Sequence, residues 1–372
     1  MVYLVGILGF GQSDCDFQIG QEYSIKSKVL GEERQVIVGL PQNYNPKDKT
    51  YSVIVLLDGD YHFISTYGNI EYLSKRFLIP ESILIAIPNT NRVRDLTPTK
   101  TKINFNGEED NSLSESGGAS NFLKFLENEL LPWAAERFST NNLETIIGHS
   151  WGGLVVTEAF LNKETQFDTF LAIDPSYWWD NQVLTKRIKM SSENTISEHK
   201  KLYISSSSLK VEKESGQCCR QRNSVDLFYA TLKEAFNNND KIALQYFEDE
   251  DHASIPVPSA YYGLKFLFCD YVMNKVYDKS FVEIKAHFLK YYSRLNKEVK
   301  IPEDLVRNVA QYKLYAKDQV DEALTFYRYN VENYPNSIRA NQNICEAYKK
   351  VGPGNLGQRF CDAAHRLQNE TK

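Results

Sequence analysis

Residues 144–154 read ETIIGHSWGGL, and the next residues continue as VVTEAFLN. A β-branched run enters Gly148-His149-Ser150-Trp151-Gly152 and a segment with apolar residues three and four apart leaves it. That is G-x-S-x-G at a strand-to-helix turn, a context in which the serine is lifted on a tight bend and its hydroxyl is exposed beyond the strand end. The bend needs small neighbours, and the pattern assigns that role to Gly152 and Gly153. Outward from it, RQVIVGL, YSVIVLLD, SILIAIP, DTFLAID, KLYIS and KIALQYFE are short, nearly continuous apolar runs, as expected of strands covered on both faces. They alternate with NFLKFLENELLPWAAERF, LVVTEAFLN, VDLFYATLKEAF and AYYGLKFLFCDYV, which carry helical spacing. The expected fold is therefore α/β, an α/β-hydrolase arrangement with a doubly wound, mostly parallel sheet whose ligand edge lies beyond the carboxyl ends of the strands.

A chain of 372 residues exceeds what one core usually holds, so a second unit is expected. From Phe281 onward the strand signal disappears and amphipathic segments are punctuated by Pro302, Pro335 and Gly352-Pro353-Gly354. The division read from this change is a leader-like segment at 1–20, a catalytic domain at 21–278 and a small all-helical domain at 279–372. Within the last, DEALTFYRYNVENYPNSIRANQNICEAYKKVG resembles a tetratricopeptide helix pair, with a plain helical bundle as the alternative. Such a tail offers a place for a protein partner. Cys345 and Cys361 lie at equal distances from the centre of the Gly352-Pro353-Gly354 turn, so an antiparallel helix hairpin would put them at one level, where a disulfide or simple packing is expected.

The first ten residues, MVYLVGILGF, run into Gly11-Gln12-Ser13 like the apolar core and cleavage zone of a secretory signal, although a basic start is missing. Export to a periplasm or the medium is the resulting expectation, with a cytoplasmic protein if the run is a buried strand instead. No stretch is long enough to span a membrane, so no membrane insertion is expected. A net charge of −5 removes the basic footprint of a nucleic-acid binder. The six cysteines form no C-x-x-C pair, and no metal site or cofactor is expected.

Ser150 needs a base. Of the six histidines, His252 follows the last strand, where the chain order of this fold puts its imidazole, whereas His149 reads as packed, His62 follows the loop after YSVIVLLD, and His199, His287 and His365 read as structural or exposed. Three places compete for the orienting carboxylate: Asp174 at the end of DTFLAI, Glu212 after the next strand, which is the more usual location, and the acidic run Glu248 to Asp251 beside His252. The oxyanion hole is expected from the backbone amides of Trp151 and, at Gly59-Asp60-Tyr61 after YSVIVLLD, of Asp60, with Gly59 allowing the turn. Arg92 and Arg94 follow SILIAIP at the ligand edge and read as a clamp for substrate oxygens or as partners of Asp95. Tyr177, Trp178 and Trp179 read as a pocket wall or as core, with Trp178 taken as substrate-binding.

VIVLLDGDYHF, IPNTNRVRDLTPT, GGASNFLKFLENELLPWAAERF, TIIGHSWGGL, AIDPSYWW and YFEDEDHASIPVPSAYYGLKFLF occur in the order found in the putative-esterase family, which the chain resembles over about residues 25 to 270. That family includes esterase D and the siderophore esterases acting on ferri-enterobactin and ferri-bacillibactin. The resemblance implies a serine esterase, with Ser150 and His252 carried over directly, acting on a small-molecule ester such as a siderophore trilactone or an aryl ester. It departs at one point: where the family has a Gly-Ser-Leu-Glu-like strand end, this chain has Ser207-Ser208-Leu209-Lys210, and a lysine cannot orient an imidazolium. The acid expected is therefore Asp174. The alternatives to hydrolysis are an acyltransferase using the same serine and a non-catalytic scaffold acting through the helical tail.

Overall fold

A computed structural model describes residues 19–190, 200–207, 217–237, 239–293, 300–352 and 355–370. The leader-like expectation falls mostly on residues 1–18, outside them. Among the described residues eight strands form one sheet in the order β1-β2-β4-β3-β5-β6-β7-β8. They are β1 (Gln21–Lys26), β2 (Glu33–Gly39), β3 (Tyr51–Leu57), β4 (Ser82–Ile87), β5 (Thr140–His149), β6 (Thr169–Ile173), β7 (Lys201–Ser207) and β8 (Ile242–Phe247). From β4 to β8 all pairings are parallel, while β1 with β2 and β2 with β4 are antiparallel. The seven apolar runs are all strands. β1, QEYSIK, is an addition to them: an edge strand that buries one side chain, Ile25, and so lacks an apolar run.

Along β3 the side chains alternate between two cores, as period two requires. Val53, Val55 and Leu57 join Phe122, Phe125, Leu154, Val155 and Phe228 on one face. Ile54 and Leu56 join Ile70, Leu73, Leu264 and Leu267 on the other. The first face is covered by α3 (Ala119–Phe125), α4 (Leu131–Arg137), α5 (Trp151–Leu161), α6 (Trp179–Met190) and α7 (Gln217–Ala235); the second by α1 (Gly59–Lys75) and α8 (Pro256–Leu267). The short α2 (Arg92–Asp95) caps the carboxyl edge of β4. It is fastened by a buried ion network in which Arg34 of β2 meets Asp95 at 2.5 Å, and Arg94 meets Asp95 at 2.7 Å and Glu32 at 2.6 Å. Of the two readings of Arg94, a clamp for substrate oxygens or a partner of Asp95, the second is the one observed.

Among the described residues five helices follow: α9 (Phe281–Tyr292), α10 (Glu303–Tyr315), α11 (Val320–Asn333), α12 (Ile338–Val351) and α13 (Gln358–Glu370). Their apolar side chains, from Ile284 and Phe288 through Val309 and Phe326 to Ile344, belong to the same buried cluster as Ile54 and Leu267. Across the 278/279 boundary the apolar core is thus continuous. No described helix is long and apolar enough to cross a membrane.

Cys345 and Cys361 form a disulfide between α12 and α13, with their Cα atoms 5.2 Å apart and a sequence separation of 16. A cross-link over a loop of that length constrains the unfolded chain by about 3 kcal/mol. Alkylation of the natively produced protein without reduction should leave both cysteines unmodified, and reduction should lower the melting temperature by roughly 5 °C or more. Free thiols at both positions would overturn this pairing.

Candidate active site

The turn between β5 and α5 puts Ser150 at φ 59° and ψ −114°, a conformation that side chains seldom adopt. Three hydrogen bonds hold it there: the Ser150 amide donates to the Ile173 carbonyl at 2.9 Å, and its carbonyl accepts from Gly153 and Ser176, each at 3.1 Å. Space dictates the glycines. A Cβ on Gly148 would lie 2.4 Å from the Gly152 backbone, and one on Gly153 would lie 2.7 Å from the Pro175 ring. At Gly152 the nearest atom would be 3.4 Å away, an ordinary contact, so the crowding falls on Gly148 and Gly153 rather than on Gly152 and Gly153.

His252 sits in the loop after β8. Asp251 accepts from the amides of Ala253 and Ser254 and donates its own amide to the Ser254 hydroxyl, closing a turn that presents the imidazole. Its Nδ1 lies 2.7 Å from Oδ2 of Asp174. Asp174 is fully buried at the end of β6, with a left-handed φ of 40°. Its carboxylate also accepts from the Ser207 hydroxyl at 2.7 Å and from the Ser207 amide at 3.2 Å. Burial alone would raise the pKa of Asp174, but the hydrogen bond and charge of His252, together with the two bonds from Ser207, outweigh it and hold the group below the usual aspartate value. The carboxylate is therefore ionised, Nδ1 donates to it, and Nε2 remains as the ring nitrogen able to accept a proton. Of the other candidate acids, Glu212 lies outside the described residues, Glu248 and Asp249 are exposed, and neither they nor Glu250 hydrogen-bonds to His252 among the described residues.

Ser150, His252 and Asp174 line one cavity of about 490 Å³. Its walls include Trp151, Trp178, Phe105, Leu113 and Arg92, with Asn104, Asp110, Ser112, Ser176, Ser207 and Gln221 as polar lining. Trp178 meets Phe105 edge to face at 4.9 Å. Its neighbours are core instead: Tyr177 is buried and stacks on Phe228 at 3.7 Å, and Trp179 is buried against Trp151. Arg92 reaches the cavity, but its guanidinium is paired with buried Asp58 through Nε at 2.7 Å and Nη2 at 3.1 Å, and it lies over the Trp151 ring. Its positive charge is thereby largely neutralised.

The register places Leu56 opposite Ile147, so counting on two and three residues brings Asp58 level with His149 and Gly59 with Ser150. The left-handed residue there is Asp58, not Gly59. Gly59 is required for a different reason: a Cβ would stand 2.6 Å from the amide nitrogen of Ile87 on β4. Asp60 occupies the first turn of α1 and its side chain does not line the cavity. Among the described residues, neither its amide nor that of Trp151 donates to a protein group. Sequence reasoning did not single out Phe105, Leu113 or Gln221, which come from a polar loop and a helix whose proximity depends on tertiary packing.

The profile of the family described as "Putative esterase" matches residues 27–253. Over 182 residues the chain is 30% identical to a siderophore triacetylfusarinine C esterase of Aspergillus fumigatus, an alignment covering 43% of this chain and 61% of that one. A siderophore enterobactin esterase of Emericella nidulans is 27% identical over 172 residues, 41% of this chain and 56% of the relative. The chain thus spans about three fifths or less of these two relatives. Among solved structures, an IroE-like serine hydrolase from Shewanella oneidensis superposes with a TM-score of 0.72 at 26% identity, covering 84% of this chain and 99% of the other.

His149 is nearly enclosed between His252, with ring centroids 4.5 Å apart, and His62 at 5.4 Å. Its buried Nε2 has no hydrogen-bond partner among the described residues. Burial first, then the neighbouring His252 and His62, push its pKa down to about 3 against weaker opposing pulls from Asp174 and Asp58. A depressed folded-state pKa means that its contribution to stability is complete above the unfolded value near 6.5 and is lost as the pH falls toward 3. Melting temperatures measured between pH 7 and pH 4 should therefore fall less steeply in His149→Leu than in the unmodified protein. Equal slopes would show that His149 is not kept neutral.

Proposed function

The chain belongs to the putative esterase family, and from that premise we propose that it hydrolyses carboxylic esters through an acyl-enzyme on Ser150. The observation that carries this reading is the 2.7 Å contact between His252 and buried Asp174 in the cavity that also holds Ser150. His252 Nε2 takes the Ser150 proton as Oγ attacks the ester carbonyl, and Asp174 stabilises the imidazolium that forms. The oxyanion is met by the amide of Trp151 at the head of α5, with that of Asp60 at the head of α1 as second donor. This assignment is supported by amides that donate to no protein group among the described residues. His252 then gives its proton to the departing alkoxide, and a water molecule activated the same way releases the acid and restores Ser150. No cofactor enters these steps.

We take the substrate to be a siderophore trilactone or an aryl ester; the names of the two relatives, both siderophore esterases, support a siderophore ester. The aromatic walls at Trp178, Phe105 and Trp151 support the same reading, and Arg92, with its charge already balanced by Asp58, is suited to hydrogen-bonding a substrate oxygen. The disulfide supports an oxidising location, periplasmic or secreted. A panel running from short p-nitrophenyl esters to iron-free and ferric trilactones tests the substrate assignment. Hydrolysis of the short esters with none of the trilactones would leave the esterase reading standing and remove the siderophore one.

Ser150→Ala and His252→Ala should each lower turnover by roughly 10⁴-fold or more while the melting temperature stays near that of the unmodified protein, because the two groups act as a unit. Retention of more than about a tenth of the activity by either variant would sink the mechanism. Asp174→Asn should cost on the order of 10- to 10,000-fold, since the amide no longer fixes the imidazole tautomer, whereas Glu212→Gln should be nearly silent. The reverse result would return the acid to the segment after β7.

A further inference from the structure

Next to Ser150 stands a second hydroxyl that the steps above leave unused. Ser176 lies two residues after Asp174 in the Asp174-Pro175-Ser176 turn and is buried at 2% exposure. Its Oγ is 3.2 Å from Ser150 Oγ, the one hydrogen-bond partner of that hydroxyl among the described residues. Two backbone contacts fix the geometry: the Ser176 amide donates to the Ser150 carbonyl at 3.1 Å, and the Ser176 carbonyl accepts from Trp179 at 2.9 Å. Pro175, pressed against Gly153, removes the remaining freedom of the turn.

We propose that Ser176 is a further catalytic residue, a hydrogen-bond donor to Ser150 Oγ that acts chiefly when the acyl-enzyme breaks down. The inference rests on the reading of Ser150 as the nucleophile. Ser150 has one proton, and in the reactive arrangement it goes to His252 Nε2, so in the contact between the two hydroxyls Ser176 is the donor and Ser150 Oγ the acceptor. What that donation does depends on the charge at Oγ in each step. During acylation Oγ begins as a hydroxyl oxygen, already a good acceptor, so although it gains charge as its proton passes to His252, the donor is strengthened only modestly between ground and transition state and changes the rate little. During deacylation Oγ begins as an ester oxygen, a poor acceptor. Water adds to the carbonyl as His252 takes its proton, and the carbon–Oγ bond then breaks with the electron pair leaving on Oγ. Until His252 returns the proton, Oγ is alkoxide-like, and the Ser176 hydroxyl is in place to stabilise it.

The predicted signature is a split between rate constants. With p-nitrophenyl butanoate, an activated ester, kcat reports deacylation and kcat/KM reports acylation. Ser176→Ala should lower kcat roughly 10-fold, the size of one hydrogen bond strengthened by charge, while kcat/KM stays within about threefold and KM falls in proportion. A stopped-flow burst of p-nitrophenol should become larger relative to the steady state, with a butanoyl adduct on Ser150 trapped by acid quench. Ser176→Cys fills the same space with a weak donor and should show the same split, so the test survives if the alanine variant fails to fold; Ser176→Thr, which keeps a hydroxyl, should recover most of kcat. Equal losses in kcat and kcat/KM, or no change in either, would overturn the role of Ser176. Failure of the underlying reading looks different: Ser150→Ala would stay active, or the unmodified protein would not be labelled by a fluorophosphonate.

Discussion

The turn at Ser150 is the constraint on which the site depends. A parallel strand must become a helix within one residue, and the backbone manages this only because positions 148 and 153 carry no side chain. The strain at Ser150 is held by bonds that reach across to the end of β6, through the Ile173 carbonyl and the Ser176 amide. Residues 173 to 176 are thereby locked to the serine. The same few residues contain Asp174, whose own left-handed backbone turns its carboxylate toward His252. The positions of Ser150 and Asp174 are consequences of one local geometry.

A carboxylate at the end of β6 needs a particular environment to stay charged. Asp174 is fully buried, and an isolated carboxylate there would take up a proton rather than remain charged. It remains ionised because β7, the neighbouring strand, contributes donors in place of an acid: both the amide and the hydroxyl of Ser207 point to it. The end of β7 thereby solvates the carboxylate. His252 supplies the remaining bond, and since that bond occupies Nδ1, the tautomer that leaves Nε2 free to accept a proton is selected by the acid's burial.

Much of this was legible in sequence because it depends on local pattern. Continuous β-branched runs gave seven strands, and the Gly-rich turn after one of them marked Ser150. In the sequence a single residue, Lys210, standing where the family resemblance implies a carboxylate, favours Asp174 over Glu212. What remained hidden depends on partners distant in the chain. β1 becomes a strand through pairing with β2 rather than through its own apolar content. The α1 helix carries a mixed, weakly amphipathic sequence, GDYHFISTYGNIEYLSK, so its spacing gives little signal. Arg94 and Arg92 are two residues apart and look alike, yet one completes a buried network with Glu32 and Asp95 while the other reaches the cavity over Trp151. Only the placement of Glu32 and Asp58 distinguishes them.

The helical tail has the opposite relation to the site. It attaches at the amino ends of the strands: Lys300 donates to the Asp48 carbonyl at 3.2 Å and Asn336 to the Asp48 carboxylate at 3.2 Å, both in the loop that precedes β3. The cavity lies at the carboxyl ends, and among the described residues none beyond His252 lines it. Yet the tail's apolar side chains continue the core that lies under α1 and α8. The α8 helix begins four residues after His252, and the head of α1 carries the Asp60 amide. A region whose described residues contribute no group to the cavity thus helps bury the two helices leading to and from it. That makes the tail part of the scaffold on which the catalytic geometry rests, through shared burial rather than through contact.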